Sequence, residues 1–162
     1  MMDFMMWLEH NGFSTWIHTS TSVLAFPTIL LLHTIGMALV VGIAAAIDLR
    51  ILGFAPALPL APMERFLPVL WVGFWINAVT GTVLFAVDAT KRSTQTDFWI
   101  KMLFIALAVM TLRMIQKRVF RDPKIDTEPL STHAKVLAGT SLFFWMGAIV
   151  AGRLLAYVGQ IG

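Results

Sequence analysis

The chain has no cysteine, so disulfides, thiolate metal sites and a cysteine nucleophile are all excluded. Charge is scarce as well: 13% of the 162 residues are Asp, Glu, Lys or Arg, against 58% hydrophobic. A soluble domain of that composition would expose more apolar surface than a monomer tolerates, which rules out a soluble enzyme. There is no Walker loop, no Ser-His-Asp set, no His-Glu-x-x-His and no pair of carboxylates inside an apolar run, so nothing supports ATP use or hydrolysis. The net charge of +3 comes from 12 Lys and Arg scattered between apolar runs, without a basic face, and this excludes nucleic acid as a partner.

What is present is long apolar runs. Asn11 to Ile47 holds no charged residue, more than the roughly 20 residues a helix needs to cross hydrocarbon, and a first span is expected over about 21–47. With Asp3 and Glu9 ahead of it in place of a basic start, it reads as a retained span and not a signal peptide. The run Phe66–Val87 gives a second span, about 66–88. The third, about 98–116, requires Lys101 and Arg113 to snorkel toward opposite interfaces; it then measures about 28 Å. A fourth covers about 136–158 and contains one charge, Arg153. The expected fold is all-α: a single four-helix up-down transmembrane domain over 1–162, preceded by a short interfacial helix at residues 2–9.

The basic residues orient it. Arg50, Arg65, Arg113, Lys117, Arg118, Arg121, Lys124 and Lys135 fall on one side; Lys91, Arg92 and Lys101 fall on the other. The positive-inside rule then places both termini outside the cytoplasm of a bacterial inner membrane, with Trp7, Trp16 and Trp99 in the outer aromatic belt. Pro56, Pro59 and Pro62 predict a stiff inner connection, Asp122-Pro123 a turn, and Thr127 a cap for the fourth span.

His33 is the most informative residue, because an ionisable group near the bilayer midplane is expensive and marks function by default. Its imidazole suits a haem or metal ligand, a proton carrier or a quinone contact; the plain alternative is a structural bond to a neighbouring helix. Gly36, Met37 and Val40 share its face, which predicts open space for a flat ring. Asn77, between Gly73 and Gly81, lies at a similar depth and is a candidate partner of His33 or of a ligand. A single haem on His33 takes a Met as its second ligand, or none: Met146, Met110 and Met37 are candidates by depth, and Met37 faces the wrong way to close a site. Arg153 suits an anionic edge such as a haem propionate or lipid phosphate, with Asp88 the plainer partner. His18 lies about 60° from His33 in azimuth but has no matching histidine pair on another helix, and His133 is about 15 Å away in depth. Two bis-histidine haems are therefore excluded. The N-terminal methionines with His10 match Cu(I) chemistry, although membrane anchoring explains them more simply.

Leu31–Gly42 (LLHTIGMALVVG) and Phe98–Arg113 (FWIKMLFIALAVMTLR) resemble the His-bearing first span and Lys-bearing third span of small bacterial four-helix membrane proteins grouped around copper-resistance protein CopD and haem-pathway protein HemJ. Asp48–Gly53 is similar to the end of the first span in uncharacterised members of that group. The resemblance implies one haem b or a copper connection, including copper-related transport, with His33 as the metal ligand. Members with porphyrinogen oxidase activity carry His where this chain has Arg113, a departure that counts against that activity. The expected function is electron transfer through one haem b at His33, with quinone as a partner. The alternative is a non-enzymatic accessory subunit or assembly factor bound to other membrane subunits, or to copies of itself, through the small-residue faces of the second and fourth spans.

Overall fold

A computed structural model of the protein describes residues 6–7 and 25–161, with side chains described over 6–7 and 26–154. Its elements are α1 (Ala25–Leu52), a 3-10 turn (Ala61–Phe66), α2 (Leu67–Val87), the short α3 (Ala89–Thr94), α4 (Thr96–Arg118) and α5 (Thr132–Ile161). No strand occurs among the described residues. Four stretches are long and apolar enough to cross a membrane: Phe26–Leu52, Ala61–Val87, Thr96–Arg118 and Thr132–Leu154. The protein is an all-α, four-helix membrane fold. Residues 6 and 7 are helical; the rest of the expected interfacial helix lies outside the described residues, as do His10, Trp16 and His18.

The outward faces are apolar, as lipid requires. Val72, Trp75 and Val79 on α2 and Val136, Phe143, Met146 and Val150 on α5 are exposed at helical spacing. Packing groups the chain into two compact units. One joins α1 as far as Val40 to Trp71–Gln95; the other joins Val41–Leu70 to the chain from Thr96 onward.

α1 runs past the expected end at Ile47 to Leu52, because Asp48 does not stop it. Ala44, Ile47, Asp48 and Ile51 form one buried stripe at i, i+3, i+4 and i+7, so the carboxylate sits on the inward face. The helix ends at Gly53, whose φ of 105° only glycine adopts at little strain. Gly53 N–H donates to the Arg50 carbonyl (3.1 Å) and Phe54 N–H to the Leu49 carbonyl (3.0 Å), the pair of bonds of a Schellman cap.

The following connection bends back over the helix end. Arg50 donates through Nε to the Leu58 carbonyl and through Nη2 to the Pro56 carbonyl (3.2 Å). Asp126, in the loop between α4 and α5, then accepts from the N–H groups of Leu60 (2.6 Å) and Ala61 (3.0 Å), satisfying the open start of the 3-10 turn. This bond ties the two basic loops together at one end of their unit. Leu60, Val119, Phe120 and Ile125 are buried there, closing that end with apolar side chains. Asp122-Pro123 does form a turn, with Lys124 N–H bonding Asp122 Oδ1 at 3.0 Å. The cap of the last helix, however, is Ser131 and not Thr127: Ser131 Oγ accepts from Ala134 N–H at 3.2 Å. Pro129 and Leu130 separate Thr127 from that helix, and its hydroxyl bonds back to the Lys124 carbonyl.

α4 and α5 pack side by side. Gly147 admits the Phe104 ring, since a Cβ there would lie 2.7 Å from Phe104 Cε1, and Gly152 admits the Lys101 stem. Phe104 also meets Phe143 and Phe144 with ring centroids 6.0 and 6.1 Å apart.

Candidate functional site

In the first unit α1 and α2 approach to backbone contact. A Cβ on Gly36 would stand 2.9 Å from the Gly73 carbonyl oxygen and 3.0 Å from Asn77 N; one on Gly73 would stand 2.7 Å from Leu39 Cβ. Glycines on both sides of the seam are what allow so close a crossing. The space expected beside His33 at Gly36 is therefore filled by α2, and no ring fits there.

That approach brings polar groups together around His33. Its Nδ1 lies 2.9 Å from Thr80 Oγ1. The Thr80 hydroxyl lies 2.7 Å from the Ile76 carbonyl oxygen and donates to it, so toward His33 it acts as the acceptor. With the hydroxyl hydrogen given to Ile76, the contact fits an imidazole protonated on Nδ1. Thr80 is buried, and Gly81 lies against the ring, where a Cβ would be 3.1 Å from His33 Cε1. Asn77 comes to His33 as expected but meets a different atom: its Nδ2 donates to the His33 backbone carbonyl at 3.2 Å. Thr80, and not Asn77, holds the imidazole. Its position seven residues after Gly73, on the same α2 face as Asn77, was the available signal.

Of the other expected site residues, Met146 and Arg153 belong to the second unit, and both are exposed on α5. Asp88 pairs with Arg92 at 3.7 Å. Among the described residues, no group of three or more His, Asp or Glu side chains converges as a metal site would require. The small-residue faces of α2 and α5 are occupied from within the chain, Gly73 by α1 and Gly147 by Phe104.

The second unit holds buried polar groups that the sequence reading missed. Asp48 is 1% exposed, Ser141 0% and Trp145 4%, and neither carboxylate oxygen, nor Ser141 Oγ, nor Trp145 Nε1 has a hydrogen-bond partner. Ser141 stands beside Asp48. The only advance signal was the i, i+3, i+4, i+7 spacing that sets Asp48 among Ala44, Ile47 and Ile51.

None of the protein-family models, curated proteins and solved structures compared with the chain matches it.

Proposed function

We propose that the chain is a multi-pass protein of the bacterial inner membrane that carries one haem b on His33 and passes electrons, with quinone as the exchanging partner. The observation that carries this reading is an imidazole held through Nδ1 by Thr80 inside an apolar span. A haem held there supplies one-electron redox chemistry. Because α2 closes the Gly36 side, the ring belongs on a face of His33 away from the α1–α2 seam. Asn77 supports the site through the backbone by anchoring the His33 carbonyl. The likeness of Leu31–Gly42 to the His-bearing span of the CopD and HemJ group supports the same assignment.

The absorption spectrum of protein purified after haem-replete expression tests this reading. A Soret band is expected in the wild type and its loss in His33→Ala. Thr80→Val is expected to keep the imidazole but release it from its partner, weakening haem affinity about 10- to 100-fold, the usual effect of removing an outer-shell partner. Absence of the band, or a band indifferent to His33, overturns the haem assignment and favours the accessory-subunit reading.

Both termini are proposed to lie outside the cytoplasm. Eight Lys and Arg lie on the inner side and three on the outer, and the Asp126 bond that joins the two basic loops supports placing them on one side. Reporter fusions at Gly162 and within residues 119–126 are expected to report opposite sides, with the 119–126 fusion cytoplasmic. A cytoplasmic C-terminus overturns the orientation.

A further inference from the structure

A carboxylate sealed into an apolar helix bundle needs a countercharge, a set of donors or a proton, since an ionised group without them is strongly disfavoured. Asp48 has neither of the first two: both of its oxygens are without a hydrogen-bond partner. It is also the one charged side chain among the buried described residues. The charged groups on the surrounding elements are directed elsewhere or exposed. Arg50, two residues on, donates to the loop carbonyls of Leu58 and Pro56. Glu64 and Arg65 on the 3-10 turn are exposed, as are Arg113, Lys117 and Arg118 on α4 and His133 and Lys135 on α5. Asp126 is taken up by the Leu60 and Ala61 amides.

Ser141 and Trp145 are one turn apart on the same face of α5, and each brings a buried polar atom with no partner. The Asp48 carboxylate oxygens and the Ser141 hydroxyl beside them, all buried and without a partner, form a site, and Trp145 lies one turn from Ser141 on the same α5 face. Its donor set decides the ligand. A metal ion needs several oxygen ligands, whereas here there are two carboxylate oxygens and one hydroxyl, and the fourth group is an indole N–H, a donor that a cation repels. Thr111, the remaining buried polar side chain of the unit, turns its hydroxyl back to the Leu107 and Ala108 carbonyls.

We propose that Asp48, with Ser141 and Trp145, forms an exchangeable proton site within the membrane, about 6 Å along α1 from the helix end that Gly53 caps. Proton binding converts the carboxylate to a carboxylic acid whose O–H donates to the Ser141 hydroxyl, while the indole N–H serves the carbonyl oxygen. The assignment does not depend on His33 or on haem.

Infrared difference spectroscopy on the full chain in lipid tests it. Between neutral and alkaline pH, carboxyl groups in water, which titrate near about pH 4, are already ionised, so a protonated carboxyl band in that window reports a sequestered acid. The wild type is expected to show such a band, shifted in D2O, falling about tenfold in protonated fraction for each pH unit beyond its midpoint. Asp48→Asn is expected to remove it, and Ser141→Ala and Trp145→Phe to displace the midpoint. Should Asp48→Asn fail to fold, the neutral-minus-alkaline spectrum of the wild type still decides. No band in that window overturns the proposal; so does a band abolished when sodium replaces choline at constant ionic strength, which would identify a metal-cation site. A midpoint unmoved by both α5 substitutions overturns the cluster.

Discussion

Gly36→Val is expected to destabilise the α1–α2 unit by about 1–3 kcal/mol, the usual cost of forcing extra atoms into a packed seam. The new Cβ alone would stand 2.9 Å from a backbone oxygen and 3.0 Å from a backbone nitrogen, neither of which can turn aside as a side-chain tip can. The helices must separate, and the bonds that depend on their approach go with them: Asn77 to the His33 carbonyl and His33 to Thr80. Thermal unfolding in mild detergent measures the loss, and Gly42→Val is the matched control. Gly42 lies on the same helix with nothing within 4 Å of a Cβ, so its substitution is expected to leave the melting temperature unchanged or slightly raised, valine being the better helix former. Equal effects at the two glycines would show that the seam is not what limits stability.

Asp48→Leu is expected to act in the opposite direction. Leucine has the same branched skeleton without the polar atoms, so the substitution removes the penalty of burying a carboxyl group that lacks partners. The gain is about 1–3 kcal/mol, less whatever the slightly larger methyl groups cost in packing. A higher melting temperature together with loss of the proton site would mark Asp48 as a residue retained for its chemistry at the expense of stability. A clear destabilisation would show that the folded chain relies on the carboxyl group, and would return Asp48 to a structural role.

Much of the architecture was legible along the chain. Apolar runs of about 20 residues separated by basic or proline-rich stretches are a local property, and they specified four helices, their order and their approximate limits. The limits failed where a charge was taken as an end. Asp48 and Leu49 continue α1 because the stop lies in the Gly53 cap, not in the first charged residue. The third span likewise extends at both ends, to Thr96 and Arg118, beyond its run of uncharged residues.

The candidate site was only half legible. An ionisable residue deep in an apolar run is conspicuous by itself, so His33 stood out, and the glycine spacing of α2 pointed to close packing. Which atom meets which was not accessible. Gly36 could equally have faced an open ring pocket or another backbone; the crossing of two glycine surfaces made it the second. Thr80, one residue from Gly81, gained its importance only when α2 turned its hydroxyl toward Nδ1. Asp48 was hidden for the complementary reason: a carboxylate near a helix end is ordinarily at the interface, and only the packing of the second unit buries it.

By itself, then, the sequence determined the membrane class, the number of helices able to span and which connections carry most of the basic charge, because hydropathy and charge act residue by residue. Tertiary structure alone decided that α2 closes the Gly36 face, that Thr80 meets His33 Nδ1 and that Asp48 is sealed beside Ser141. Each of these depends on which faces of separate helices meet, and that is settled by packing over the whole unit and not by any local run of residues.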